Sequence, residues 1–145
     1  MHRVSFSITI NAPKEKVWRA MLDDATHRQW TSAFQEGSYA VTDWKEGSKV
    51  LFLTPAGDGM TSQILVHRPN EFLSIKHLGM VKNGVEDKDD PEARAWAGAL
   101  ENYMLQKIDG KSTLTVEMDV IEKYRTYFEE NWPKALSKLK KITET

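Results

Sequence analysis

The last stretch of the chain, residues 121–145, carries the pattern that most restricts the fold. Its apolar residues recur at steps of three and four, which places them on one face of an α-helix. The residues of this apolar face are Tyr124, Tyr127, Phe128, Trp132, Ala135, Leu136, Leu139 and Ile142. A helix of this kind, roughly 30 Å long, cannot bury such a face alone. The preceding residues must therefore supply a matching apolar surface.

The beginning of the chain predicts a strand followed by two short helices. Residues 3–11 alternate apolar and polar side chains, which is the period of a strand with one buried face. Asn11 and Pro13 then predict a helix start, because Asn is a good N-cap and Pro is tolerated in a first turn. A second short helix is predicted over about 25–31, with Phe34 in the loop beyond it.

The middle of the chain predicts further antiparallel strands separated by turn residues. The segments concerned are 37–44, 49–54, 60–67, 72–80, 96–108 and 111–120. Residues 82–95 are polar and acidic and predict a long loop. A strand, a helix pair, about six strands and a long helix are typical of an α+β fold with one antiparallel sheet and helices on one face. The gap between sheet and long helix either fills with side chains or becomes a cavity.

Composition excludes several classes of protein. A chain of 145 residues fits one domain, 1–145, and a net charge of −1 argues against a nucleic-acid partner and against electrostatic attachment to a membrane. The chain has no cysteine, which excludes disulfides, a thiol nucleophile and a thiolate metal site. No apolar run approaches the roughly 18 residues of a membrane span, and no signal pattern opens the chain. We therefore expect a cytoplasmic protein.

Groups of residues along the whole chain resemble a known family. The first group is Ile10, Ala12, Pro13, Val17, Trp18, Ala20 and Asp23, followed by Trp30. The later groups are Thr42-Asp43-Trp44 with Gly47-Ser48, Pro69 with Leu73, and Trp132-Pro133 with Leu136, Leu139 and Lys140. In this order they resemble the START-like (SRPBCC, Bet v 1-like) superfamily, and within it the branch named for the activator of Hsp90 ATPase homologues.

The resemblance carries expectations about fold and function. It implies a helix-grip fold, in which a curved antiparallel sheet of about six or seven strands wraps around the C-terminal helix. It also implies a hydrophobic cavity between the sheet and the helix. It implies no shared set of catalytic residues, so no catalytic role is transferred to this chain.

The hairpin at Asp109-Gly110 predicts which way Glu101 points. A type I′ turn requires positive φ at both central residues, which Asp-Gly supplies. The pairs that a two-residue turn predicts are Leu105 with Leu114, Tyr103 with Val116, and Glu101 with Met118. Because opposite residues share a face, Glu101 is expected to point inward with the apolar side chains. Such a carboxylate pairs with a cation, reaches water at the cavity mouth, or acts on a ligand.

His77 is a second candidate polar group. On the strand 72–80, the alternate set that contains Leu73, Ile75 and His77 is the more apolar one, so His77 is expected to face inward. It is either a satisfied core or rim histidine or a polar group in the pocket. In the second case, a pair with Glu101 could transfer protons near neutral pH.

No residue pattern indicates a cofactor or a metal. His2, His27 and His67 have no helical i, i+4 histidine partner. The acidic run 86–92 lacks the Gly and Glu of a calcium-binding loop and predicts a solvated lid. Gly57-Asp58-Gly59 precedes a predicted strand and not a phosphate-binding helix. We expect no cofactor and no metal.

Pro133 lies inside the predicted C-terminal helix. Because proline has no N–H, it predicts a kink between Asn131 and Ala135. The kink either fits the helix to the curve of the sheet or acts as a hinge that opens the pocket.

Three functions remain open at this point, with binding favoured over catalysis. The first is binding of a small hydrophobic or aromatic molecule in a cavity of at least about 300 Å³. The candidate ligand-binding residues are Trp30, Phe34, His77, Trp96, Glu101, Tyr103, Phe128, Trp132 and Leu136. The second is a cyclase- or hydrolase-type enzyme that uses Glu101 and His77 in the same pocket. The third is a co-chaperone-like interaction module. A homodimer through a sheet edge or through residues 82–95 is also open.

Overall fold

The chain forms one antiparallel sheet that curves around a long C-terminal helix. The computed structural model describes residues 1–145. The elements, in chain order, are β1 (His2–Ile10), α1 (Lys14–Leu22), α2 (Asp24–Thr31), β2 (Tyr39–Val41), β3 (Lys49–Leu53), β4 (Gly59–Arg68), β5 (Phe72–Lys82), β6 (Val85–Asp87), α3 (Pro91–Trp96), β7 (Leu100–Ile108), β8 (Lys111–Val120), a 3₁₀ turn (Glu122–Tyr124) and α4 (Arg125–Glu144). This is the predicted helix-grip fold, including the two short helices between the first two strands.

The sheet is open, with β1 and β2 at its two edges. Its strand order is β1-β8-β7-β5-β4-β3-β2, and β6 pairs only with β5. The C-terminal end of α4 lies against one end of the β1 edge, since Lys140 Nζ donates to the Thr9 carbonyl at 2.9 Å and Glu144 accepts from the Asn11 N–H at 2.7 Å. No helix of the protein combines the length and the apolar character that crossing a membrane requires.

The apolar face of α4 packs into the core, as its periodicity predicts. Trp132, Ala135, Leu136 and Leu139 are all buried and belong to one cluster of core residues. The helix is continuous from Arg125 to Glu144, with Pro133 exposed inside it. The kink predicted there stays a prediction.

The predicted loop over 82–95 is wrong. It contains β6 and α3, and Trp96, which was assigned to a strand, is the last residue of α3. Asn83 and Gly84 both have positive φ, 51° and 79°, and so form the tight turn between β5 and β6. Asp90 caps α3 by accepting a hydrogen bond from the Glu92 N–H at 3.0 Å, with a proline in the first turn.

The hairpin register at 109–110 is confirmed. Asp109 and Gly110 have φ of 52° and 78°, and the paired residues are Leu105 with Leu114, Tyr103 with Val116, and Glu101 with Met118. The β4–β5 pair is less regular, because its register shifts between Thr61 and Ser62 and again between Ile64 and Val66. Despite these shifts, Ser62 lies directly opposite His77. The sheet therefore brings Ser62, His77 and Glu101 together across three neighbouring strands.

A core substitution in α4 tests how far the fold depends on this helix. Leu139 is fully buried, whereas Lys141, two positions later, is exposed. We expect Leu139→Ala to lower the free energy of unfolding by about 2–5 kcal/mol, because it removes packed methyl groups and leaves a cavity. Lys141→Ala should change it by less than about 0.5 kcal/mol. Urea denaturation of both variants measures the difference, and equal midpoints would contradict the packing described for α4.

Candidate functional site

A cavity of about 180 Å³ lies between the sheet and helices α2, α3 and α4. Six of its lining side chains are tryptophan or phenylalanine: Trp30, Phe34, Phe52, Trp96, Phe128 and Trp132. Several of these rings pack edge to face, as Phe34 and Trp132 do at 4.9 Å between centroids and 72° between planes. The cavity is smaller than the expected 300 Å³ because these large rings occupy much of the gap between sheet and helix.

Each ring is positioned by its own element. Phe128 and Trp132 lie one turn apart on the inner face of α4. On α2, the Trp30 indole N–H donates to the Met21 carbonyl at 3.1 Å, which fixes the ring over the end of α1. Trp96 packs edge to face on Phe128 at 6.1 Å. The aromatic rings that line the cavity therefore link α2, α3 and α4 to one another.

Glu101, on β7, is the acidic residue of the cavity and is held from two sides. His77 Nε2 lies 3.2 Å from its Oε1, and the Tyr103 hydroxyl donates to its Oε2. His77 Nδ1 in turn lies 2.7 Å from the hydroxyl of Ser62. With a neutral His77 ring, these contacts are satisfied when Ser62 donates to Nδ1 and Nε2–H donates to the carboxylate. The result is a chain of hydrogen bonds that runs from buried Ser62 on β4, through His77, to Glu101 in the cavity.

This environment shifts the pKa of the Glu101 carboxyl and that of the Tyr103 hydroxyl in opposite directions. Burial acts to raise the pKa of Glu101, but the hydrogen bonds from His77 and Tyr103 outweigh it, so its pKa lies below the ordinary value. Burial, together with the neighbouring Glu101 carboxylate, raises the pKa of Tyr103 well above its ordinary value. At neutral pH, Glu101 is therefore an anion and Tyr103 a neutral hydrogen-bond donor.

Two side-chain nitrogens in the cavity wall have no hydrogen-bond partner. They are His27 Nδ1 and Trp132 Nε1, and both residues are at least nine-tenths buried. Burial lowers the pKa of His27 to about 4, although the negative charge of Glu101 opposes the shift. His27 is therefore neutral at neutral pH. Its ring packs edge to face on Trp30 at 5.2 Å.

Two grooves adjoin the cavity. A groove of about 690 Å³ shares Thr54, Met60, Trp96 and Phe128 with it, so these four side chains separate the inner space from the outer one. On another side, a groove of about 350 Å³ shares His27 and Tyr39 with the cavity. The cavity and the two grooves are therefore neighbouring spaces, and a ligand larger than the cavity would extend into one of the grooves.

The structure brings together nearly all of the residues predicted for the site. All of them line the cavity except Leu136, which instead packs in the core with 2% of its surface exposed. His77 and Glu101, whose meeting the sequence left open, are in contact. Ligand binding by these residues stays a prediction.

Other residues of the site were not predicted from the sequence. His27 lies on the same face of α2 as Trp30 and Thr31, a helical spacing that could have indicated it. Phe52 and Met60 line the cavity from directly paired positions on β3 and β4. Segment 49–54 is apolar on both faces, so alternation gave no basis for choosing Phe52.

The remaining histidines have structural surroundings. The neutral ring of His67 can donate from Nδ1 to the Trp44 carbonyl at 2.7 Å while Nε2 accepts from the Trp18 indole at 3.1 Å. His2 pairs with Glu122 at the surface. No three or more histidine, aspartate and glutamate side chains are placed to share a metal ion.

Comparison with known proteins now identifies the family. The family model described as "Activator of Hsp90 ATPase homolog 1-like protein" matches residues 11–144. The chain belongs to this family. It is an AHSA1-like protein, in agreement with the resemblance to the START-like superfamily. No curated protein sequence matches the chain.

Solved structures show that the fold is shared at low sequence identity. A Mesorhizobium loti protein superposes with a TM-score of 0.76 at 18% identity, over 97% of this chain and 96% of its own. The Aha1 dimer of Colwellia psychrerythraea superposes with a TM-score of 0.73 at 20% identity, over 99% of this chain and 97% of its own. DynU16, from the dynemicin biosynthetic locus, gives 0.71 at 15% identity, over 99% of this chain and 47% of DynU16. At these identities the likeness shows the AHSA1-like fold alone.

The buried His27 predicts a dependence of stability on pH. The unfolded chain takes up a proton at this histidine near pH 6.5, whereas the folded protein does so only near pH 4. The contribution of neutral His27 to the free energy of unfolding is therefore fully present above pH 7 and is lost as pH falls from 6.5 to 4. At about 1.4 kcal/mol per pKa unit, we expect wild type to lose about 3 kcal/mol relative to His27→Phe over this range.

Denaturant unfolding of both proteins between pH 4 and 8 measures this difference. His2→Gln, which changes an exposed histidine, is the matched control and should stay within about 1 kcal/mol of wild type over this range, because its partner Glu122 is also exposed. A constant difference between wild type and His27→Phe from pH 8 to pH 4 would contradict the neutral, buried state of His27.

Proposed function

We propose that this AHSA1-like protein is a cytoplasmic binder of a small hydrophobic or aromatic molecule, which occupies the cavity between the sheet and α4. The observation that carries the proposal is the cavity wall, in which six large rings surround an interior with few polar groups. The unpartnered His27 Nδ1 and Trp132 Nε1 in the same wall add support, because buried polar atoms normally have partners.

The volume restricts the ligand to about one or two rings. A cavity of about 180 Å³ is below the range of drug-sized sites, but an apolar cavity of about 150 Å³ suffices for benzene. Burial of roughly 200 Å² of such a ligand at about 25 cal/mol per Å² gives about 5 kcal/mol, a Kd on the order of 10⁻⁴ M. A larger ligand would extend past Met60 into the outer groove.

The descriptions of the relatives bear on all of the roles left open by the sequence. For a small-molecule role, the support is DynU16, which is described as a putative protein in the dynemicin biosynthetic locus and of whose length the chain spans about half. For the co-chaperone-like alternative, the support is the family description. For a homodimer, it is the Colwellia relative, which is described as a dimer. Sedimentation velocity of the purified protein tests the dimer.

Indole binding tests the proposal. We expect indole to shift the NMR signals of the Trp30, Trp96 and Trp132 side chains, with a Kd on the order of 10⁻⁴ M. Met60→Trp places a larger side chain in the cavity wall and should weaken binding at least about tenfold. Met80→Trp is the matched control, since Met80 pairs directly with Met60 on the sheet but lines only the outer groove.

The outcomes of this experiment are distinct. Binding that weakens in Met60→Trp and stays within about threefold in Met80→Trp supports the cavity as the site. Absence of binding to wild type, or equal effects of the two variants, argues against it. Native mass spectrometry of protein from its source, which detects a co-purifying molecule, would then identify the natural ligand.

An enzymatic function is the second candidate, favoured by the contact of 3.2 Å between His77 and Glu101. The pair borders the cavity and could exchange a proton with a bound molecule. Release of phenol from phenyl acetate tests hydrolysis. A rate above buffer that is lost in Glu101→Gln but kept in Glu117→Gln, which changes an outward-facing glutamate, would favour an enzyme. A rate equal to buffer for wild type would reject hydrolysis of this ester.

A further inference from the structure

The cavity wall has an unusual balance of charge. Its lining contains no lysine and no arginine, and Glu101 is its one carboxylate. His27, the lining histidine without a partner, has its pKa lowered by burial to about 4 and is neutral. A ligand carboxylate or phosphate would therefore find no free cation inside, whereas a ligand cation would find an anion.

Glu101 has acceptor capacity left for such a cation. A carboxylate offers about four lone-pair positions, and His77 and Tyr103 occupy one on each oxygen. His77 can make its contact while neutral, because Ser62 can donate to Nδ1 and leave Nε2–H for the carboxylate. In that arrangement the cluster carries one negative charge. It lies in a cavity where charges interact more strongly than in water.

The surrounding rings complete a cation site. The faces of tryptophan, tyrosine and phenylalanine carry negative potential and attract ammonium groups within about 6 Å of the ring centroid. Three tryptophans line the cavity, and two of them, Trp30 and Trp132, lie 5.9 Å apart. The Tyr103 hydroxyl donates a hydrogen bond to Glu101, and the centroid of its ring lies 6.1 Å from that of Trp132. The carboxylate and the indole rings thus face one small space.

We propose that the ligand of this cavity is a small organic cation, an amine protonated at neutral pH and attached to one ring or a short apolar group. This inference rests on the proposed function and specifies its ligand class. The ammonium lies against Glu101 and the indoles, and the apolar part lies among Phe34, Phe52 and Phe128. An anionic ligand such as a fatty acid is disfavoured, because its carboxylate would lie near the Glu101 carboxylate with no lysine or arginine in the lining to balance the charge.

Three probes that share one ring but differ in charge test the proposal. They are benzylamine, benzyl alcohol and benzoate, titrated at pH 7.5 by calorimetry and by the indole N–H signals of the tryptophans. We expect benzylamine to bind wild type at least about tenfold more tightly than benzyl alcohol, with no detectable binding of benzoate. Glu101→Gln should abolish the advantage of the amine and leave benzyl alcohol within about threefold.

The control variant removes the same charge from the other face of the sheet. Glu117 lies next to Met118 on β8 and pairs with Arg3 at the surface. Glu117→Gln should leave the order and the affinities of all three probes unchanged. If Glu101→Gln does not fold, the order of the three probes on wild type decides the question alone.

Each result has a defined meaning. Benzyl alcohol or benzoate binding as tightly as benzylamine overturns the cationic ligand but leaves the binding function intact. Retention of the amine's advantage in Glu101→Gln, or its loss in Glu117→Gln, also overturns the inference. Failure of all three probes and of indole to bind would overturn the proposed function itself.

Discussion

The indole of Trp132 is the contact on which the arrangement of sheet and helices depends. It is buried and touches rings from four other parts of the chain: Phe6 of β1, Trp30 of α2, Phe34 of the loop after α2, and Tyr103 of β7. Burial of so large a ring stabilises a fold by several kcal/mol, mostly through loss of apolar surface to water. One side chain of α4 therefore fixes the distance between the helix and the sheet.

The same rings explain why a cavity remains. Protein interiors normally pack with few voids larger than a water molecule, at a density close to that of organic crystals. Tryptophan and phenylalanine are rigid and planar, and edge-to-face contacts at 5–6 Å leave spaces between them. The C-terminal half of α4, with Leu136 and Leu139, packs as a closed core. The aromatic half, from Phe128 to Trp132, is the half that faces the cavity.

The sequence predicted the parts of the site that follow from periodicity. The turn at 109–110 determined the register of β7 and β8, and so the direction of Glu101, while alternation along β5 did the same for His77. Leu136 was misassigned because the apolar face of α4 is longer than the cavity. The signals for β6 and α3, Asn83-Gly84 and Asp90-Pro91, were present in the sequence but were outweighed by the acidic composition of that segment.

Other features required the three-dimensional structure because they join distant residues. Ser62 reaches His77 only because irregular pairing of β4 with β5 places the two opposite each other. Tyr103 lies two positions from Glu101 on the same strand, but the contact of Glu101 with His77 joins β7 to β5 and could not follow from a single strand. A buried ion pair or hydrogen-bonded charge contributes little net stability compared with apolar packing, so its presence is weak evidence of a structural role.

The geometry of this chain also restricts what chemistry the cavity can perform. Ser62, His77 and Glu101 have the composition of a hydrolytic triad, but Ser62 is fully buried and does not line the cavity. The hydroxyl therefore cannot reach a bound molecule, and the chain of hydrogen bonds presents its carboxylate end to the interior. Since a carboxylate held by two donors is a stable anion, the arrangement is better suited to holding a ligand than to attacking one.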